Sequence, residues 1–171
     1  MRIFNWFIVL LGLSLLGTVA LPRYVPGAWR PDVFLLLILF TALYAETEEA
    51  LSLCWIVGFA KDLLTIAPMG QYALLGLALG FAVVRTRQQV DTRAAIPQMA
   101  LGFLGYSVTE GIALLADGFR LGAWPDSATR QGLFTAAMVT GLAAPFLMRL
   151  MDALGGWLGT RRRRYGMARA S

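Results

Sequence analysis

Lys61 and Asp62 stand side by side in VGFAKDLL, and Glu110 stands alone in YSVTEGIALL, three ionisable groups inside stretches that are otherwise apolar. Groups so placed can relay protons, hold a small ligand or form ion pairs, because a charge at mid-membrane costs about 2.5–3.5 kcal/mol unless it finds a partner or water. Lys61 is the only lysine beside fourteen arginines. Lysine is a compact point charge whose protonation shifts on burial, whereas arginine stays charged. The chain has no histidine and one cysteine, Cys54. Zinc sites, a thiol–histidine couple, a Ser-His-Asp triad and an internal disulfide are therefore excluded. Cys54, in LSLCWIV, reads as a small buried hydrophobe. Three uses compete for the charges: an ion pair from Lys61 to Asp62 or to Glu110 that fixes packing, a polar patch that meets another membrane protein, and a ligand or proton-relay site. No second lysine, histidine or acidic cluster extends a relay.

Other chemistry fails on its motifs. Asp117-Gly118 resembles the start of a lipid phosphotransferase signature of the CDP-alcohol type, but the following Ala-Arg and the twin aspartates are missing. An intramembrane aspartyl peptidase needs two facing aspartates, and Asp62 has only Glu110 as a mate. No catalytic residue, metal or cofactor is assigned.

The elements that must position these groups follow from composition. With 58% hydrophobic and 15% charged residues among 171, the chain has too little polar surface to coat a soluble globule. A crossing helix needs about 20 apolar residues, fewer where neighbours shield it. Pro, Gly and charge punctuation predicts six spans, at about 3–21, 31–45, 50–65, 68–84, 95–116 and 132–157, in one domain over 1–160 with a basic tail at 161–171. The expected fold is an all-α polytopic bundle, compact because the second to fourth spans are short. Pro68 and Pro97 fall near helix starts, and Pro145 lies inside the last span, where it should kink it. The first span could be a signal sequence, since TVA at 18–20 resembles a cleavage site, but its apolar run is long and an uncleaved span is favoured.

With the amino terminus inside, inner segments hold Arg2, Arg85, Arg87, Arg93, Arg161, Arg162, Arg163, Arg164 and Arg169, against Arg23, Arg30, Arg120 and Arg130 outside. That bias places both termini in the cytoplasm. The acidic ETEE at 46–49 reads as an inner turn. The four tail arginines suit a stop-transfer anchor on anionic lipid, or a docking surface for a cytoplasmic partner. Nucleic-acid binding is not expected without a soluble domain. Arg149 and Asp152 share a helical face and suit a structural pair. Gly76 and Gly80 form a G-x-x-x-G, and Gly102 and Gly105 open one face of the fifth span, permitting close helix approach. DGFRLGAWPDSATRQ, 117–131, reads as an outer loop with interfacial Phe119 and Trp124.

One run of residues has a family look. PDVFLLLILFTAL opens the second span; Gly58-Phe59-x-x-Asp62-Leu63-Leu64 closes the third; Pro68-Met69-Gly70 leads into Tyr72-Ala73-Leu74-Leu75. This resembles the MreD family of rod shape-determining proteins. The resemblance implies a six-helix fold similar to the S-components of energy-coupling-factor transporters, and no catalytic activity. It implies a bacterial inner-membrane scaffold of the cell-wall elongation machinery that binds the bitopic protein MreC and is linked through it to MreB, RodA and a class B penicillin-binding protein. On that reading Gly58, Phe59, Pro68 and Gly70 form an elbow that, with Lys61, Asp62 and Glu110, meets the partner's helix. The alternative is a substrate-binding subunit of a vitamin transporter, which requires a central cavity with several convergent polar groups.

Overall fold

The computed structural model describes residues 29–65, 68–87, 94–122, 124 and 126–158, with Gly12 and Arg23, taking 152 and 154–158 as backbone. The first expected span with its TVA site, the Asp152 side chain, and the tail with Arg161, Arg162, Arg163 and Arg164 lie outside the described residues. Those residues fold into five helices: α1, Val33–Tyr44; α2, Thr47–Leu64; α3, Gln71–Thr86; α4, Ala95–Leu121; and α5, Ser127–Leu158.

The most apolar helix is the innermost. In α1 every residue from Val33 to Leu43 is buried, and it touches each of α2, α3, α4 and α5. A helix that is apolar all round has no face to offer water and belongs inside a bundle. Its 12 residues extend about 18 Å, short of the roughly 30 Å of a bilayer core. Both ends are closed by charge of the sign that the helix dipole favours. Asp32 caps the start, its Oδ1 accepting from the Leu35 N–H at 3.0 Å. At the far end Arg87 donates through Nη1 to the carbonyl oxygens of Ala42 and Ala45, at 3.1 and 2.8 Å, and through Nη2 to Thr47 Oγ1 at 3.1 Å.

Among the described residues, only α4 and α5 are long and apolar enough by themselves to cross a membrane. They form one close pair, and α2 with α3 forms the other. The boundaries correct the sequence reading in two places. The acidic 46–49 segment is no turn: Thr47, Glu48 and Glu49 are the first turn of α2, where carboxylates favour the exposed N–H groups. Nor is 117–131 a continuous loop, because α4 runs on to Leu121 and α5 begins at Ser127. Asp126 caps that start, accepting from the Thr129 N–H at 2.8 Å. Pro68 stands outside α3, three residues before Gln71, whereas Pro97 is the third residue of α4, where no N–H is required. Pro145 lies within α5, which continues to Leu158.

Small residues set how closely the pairs approach. A Cβ at Gly58 would overlap the Tyr72 carbonyl, one at Gly76 would lie 3.0 Å from the Cys54 carbonyl oxygen, and one at Gly80 would lie 2.6 Å from Cys54 Sγ. The G-x-x-x-G of α3 is therefore spent on α2. Gly102 does the same for α4 on α5, its virtual Cβ 3.1 Å from Gly141 Cα. Gly105 does not: a Cβ there would find only ordinary contacts, the nearest at 3.5 Å.

Gly58→Ala should cost about 1–3 kcal/mol by forcing α2 from α3. Gly111→Ala, with nothing within 4 Å of its added Cβ, should be neutral or gain up to about 1 kcal/mol from helix propensity. Denaturant unfolding of the two variants in detergent checks the contrast, and equal losses would remove the packing argument.

Candidate functional site

The charged residues gather where α1 and α3 start, α2 ends and α4 passes. Lys61, three residues before the end of α2, reaches across the bundle. Its Nζ lies 2.5 Å from Asp32 Oδ2 and 2.6 Å from Glu110 Oε1. The three side chains are 11, 10 and 17% exposed, so the ions have left most of their water and hold one another instead. The second Glu110 oxygen, Oε2, accepts from the Tyr72 hydroxyl at 2.9 Å. The Lys61 ammonium lies 4.0 Å from the centre of the Tyr72 ring, within cation–π range. One cation thus links α1, α2 and α4, and a tyrosine ties in α3. The backbone N–H of Asp32 donates to Thr140 Oγ1 at 3.1 Å, bringing in α5.

Asp62 has a different task from its neighbour. The residue at the N-cap of α3 is Gly70, which has no side chain to cap with. Asp62 supplies the missing acceptor from α2: its carboxylate takes the N–H groups of Gly70 at 3.1 Å, Tyr72 at 2.8 Å and Ala73 at 2.9 Å. Those are among the donors that a helix start leaves unpaired, and a carboxylate there also meets the positive end of the dipole. The turn between the helices makes this possible. Gln71 N–H bonds the Pro68 carbonyl oxygen at 3.2 Å, and Gly70 sits at φ 94°, ψ −10°, the position of a type II turn that only glycine adopts without strain.

Of the two pairings left open for Lys61, the structure selects Glu110. Asp62, adjacent in sequence, faces α3 instead. Asp32 was missed as a Lys61 partner although it lies in the Pro-Asp pair that opens the second span; the capping role was legible, the 29-residue reach was not. Tyr72, Arg87 and Thr140 were missed likewise. Phe59 stacks on Trp55, ring centres 5.5 Å apart and 9° from parallel, beside the cluster rather than in it. Arg149 is exposed on α5. Cys54 is fully buried, 3.3 Å from Thr41 Oγ1. Every buried side-chain nitrogen and oxygen among the described residues has a hydrogen-bond partner, so the polar groups are occupied with one another. Two grooves, of about 360 and 560 Å³, lie instead on the outer face of α2 and α3, lined mainly by Leu51, Trp55, Leu74, Leu77 and Phe81. Their linings are mainly apolar and include none of the cluster's charged residues.

A family model described as rod shape-determining protein MreD matches residues 1–120. The match takes in α1 to α3 and Glu110 on α4, while α5 lies beyond it. No curated protein and no solved structure matches the chain.

Breaking the cluster from one side should be worse than removing it. Lys61→Met leaves two facing carboxylates and should cost about 3–5 kcal/mol, and adding Asp32→Asn and Glu110→Gln should restore much of that loss. Asp62→Ala should cost about 0.5–2 kcal/mol through the α3 start, a loss that adding Asp32→Asn and Glu110→Gln does not restore. Unfolding midpoints of the single and combined variants test both statements.

Proposed function

The chain belongs to the MreD family of rod shape-determining proteins, which are membrane proteins, and on that premise we propose that it works as a non-catalytic scaffold in the bacterial inner membrane. Its role is to hold the transmembrane helix of the bitopic protein MreC in a fixed orientation. Through MreC it is linked to MreB filaments, the glycosyltransferase RodA and a class B penicillin-binding protein of the cell-wall elongation machinery. Both termini are cytoplasmic, consistent with nine arginines in the inner segments against four in the outer ones. The tail arginines Arg161 to Arg164 rest on anionic headgroups, each contributing about 1 kcal/mol.

The observation that carries this reading is the bridge from Asp32 through Lys61 to Glu110. Reactive groups that neutralise each other across three helices are suited to holding a shape. In lipid no hydrophobic force drives helices together, so recognition depends on close packing and on polar contacts in fixed places. A frame whose α2–α3 elbow is pinned by Asp62 and whose α4 is pinned by Lys61 presents the same outer faces in every copy. Those faces carry large exposed apolar side chains, among them Trp55, Leu74 and Phe81 on the α2–α3 side, with the grooves between them. Phe59 stacks on Trp55 on this side, while Gly58 faces α3 and Gly70 forms the turn between the two helices.

Asp62→Ala and Glu110→Ala should weaken co-purification of MreC from detergent, and the rescue of rod shape in cells lacking their own copy, more than Asp126→Ala does. Equal retention of partner by all three, at equal amounts of membrane-inserted protein, would remove the polar frame from the recognition mechanism.

A further inference from the structure

The two halves of the bundle differ in height. On one side, α2 carries Glu49 in its first turn and Lys61 twelve residues later, and α1 runs from Asp32 to Ala45. Each separates its polar ends by about 18–20 Å. Arg87 fixes the lower level by binding both the end of α1 and Thr47 of α2. Lys61 fixes the upper level by binding Asp32 and Glu110. On the other side the helices do not stop there. Beyond Glu110, α4 continues for seven residues to the exposed Asp117–Arg120 pair and for eleven to Leu121, about 10 and 16 Å further. Thr140, which meets Asp32, lies thirteen residues inside the start of α5 at Ser127, again about 20 Å. Between its charges Arg130 and Arg149 α5 covers about 28 Å, close to the full hydrocarbon depth.

If α4 and α5 span, the ends of α1, α2 and α3 lie well inside the leaflet on the Lys61 side. The residues there suit neither oil nor open water. Thr65 is exposed, with its N–H and hydroxyl turned back onto the Lys61 carbonyl oxygen at 3.0 and 2.5 Å. Beside it Leu63, Leu64 and Met69 are 59, 48 and 74% exposed. Apolar side chains next to the polar ends of three helices are the composition of a headgroup–acyl boundary.

We propose that this half of the molecule is a recessed lipid-contact surface, over which the headgroup layer of one leaflet dips to the level of Lys61, while α4 and α5 keep their full depth of acyl chain. A span shorter than the bilayer is accommodated by local thinning at modest cost. Irregular backbone at this depth then meets headgroups and their water instead of hydrocarbon. The leaflet is the outer one in the orientation proposed above, but the recess depends only on α4 and α5 crossing the membrane and not on the identity of any protein partner.

The test compares thiols at one level on the two sides. Thr65→Cys and Met69→Cys report the recess; Met138→Cys, exposed on α5 two residues from Thr140, reports the same height on the tall side. Each variant is reconstituted in dioleoylphosphatidylcholine vesicles and given a charged maleimide on both faces, with the parent protein, whose Cys54 is buried, as background. Labelling after solubilisation in dodecyl sulfate shows that each thiol is present. Because the thiolate reacts and needs water to form, Thr65→Cys and Met69→Cys should label at least about tenfold faster than Met138→Cys. Equal rates overturn the proposal: if all are slow the elbow lies in oil, and if all are fast the whole bundle is thin and the long helices merely project.

Discussion

A lysine cannot be left alone in hydrocarbon, and the fold is arranged around that constraint. Lys61 is held between carboxylates from two other helices, and those carboxylates are in turn held by Tyr72 and by the start of α1. Removing any one member exposes the charge of another, which is why the cluster fixes geometry so firmly: its members have no second place to go. Desolvated ions are not a strong source of net stability. Their value lies in penalising every arrangement in which α1, α2 and α4 are not at this register.

The remaining architecture supplies the short distances that the cluster needs. Cys54 and Gly58 of α2 lie directly against Gly76, Gly80 and Tyr72 of α3, so the elbow brings the Asp62 carboxylate within hydrogen-bond reach of the α3 N–H groups. The short α1 fits between the two helix pairs because its whole circumference is aliphatic or aromatic apart from Thr41, whose hydroxyl is turned back to the Ile38 carbonyl oxygen at 2.9 Å. Charge closes α1 at both ends, Asp32 above and Arg87 below. Polar groups at both ends of this short buried helix thereby find partners within the protein.

In the scaffold role proposed above, the frame must not yield. A rigid frame can transmit the position of one partner to another only if its own helices do not slide, and sliding by one residue would separate Lys61 from both acids. The apolar outer faces can then be read by packing alone, while the polar centre stays internal. The unequal heights of the two halves give the frame a second means of orientation, towards the bilayer itself.

The residues by themselves established the class of molecule and most of its helices. Five apolar segments with their Pro and Gly punctuation marked α1 to α5 to within a few residues at most ends, since burial in oil leaves a one-dimensional signature. They also singled out Lys61, Asp62 and Glu110, because an ion among aliphatic neighbours stands out in any linear reading. The acidic 46–49 segment and the 117–131 stretch were misread because charges and glycines also occur in the terminal turns of helices, where the dipole and the caps accept them. What only tertiary structure decided was who holds whom. Asp62 is next to Lys61 in sequence yet points to α3, while Asp32 and Glu110, 29 and 49 residues away, provide its partners. Neighbours along a helix point about 100° apart, so adjacency in the chain opposes contact, and the pairing exists only once the helices are side by side.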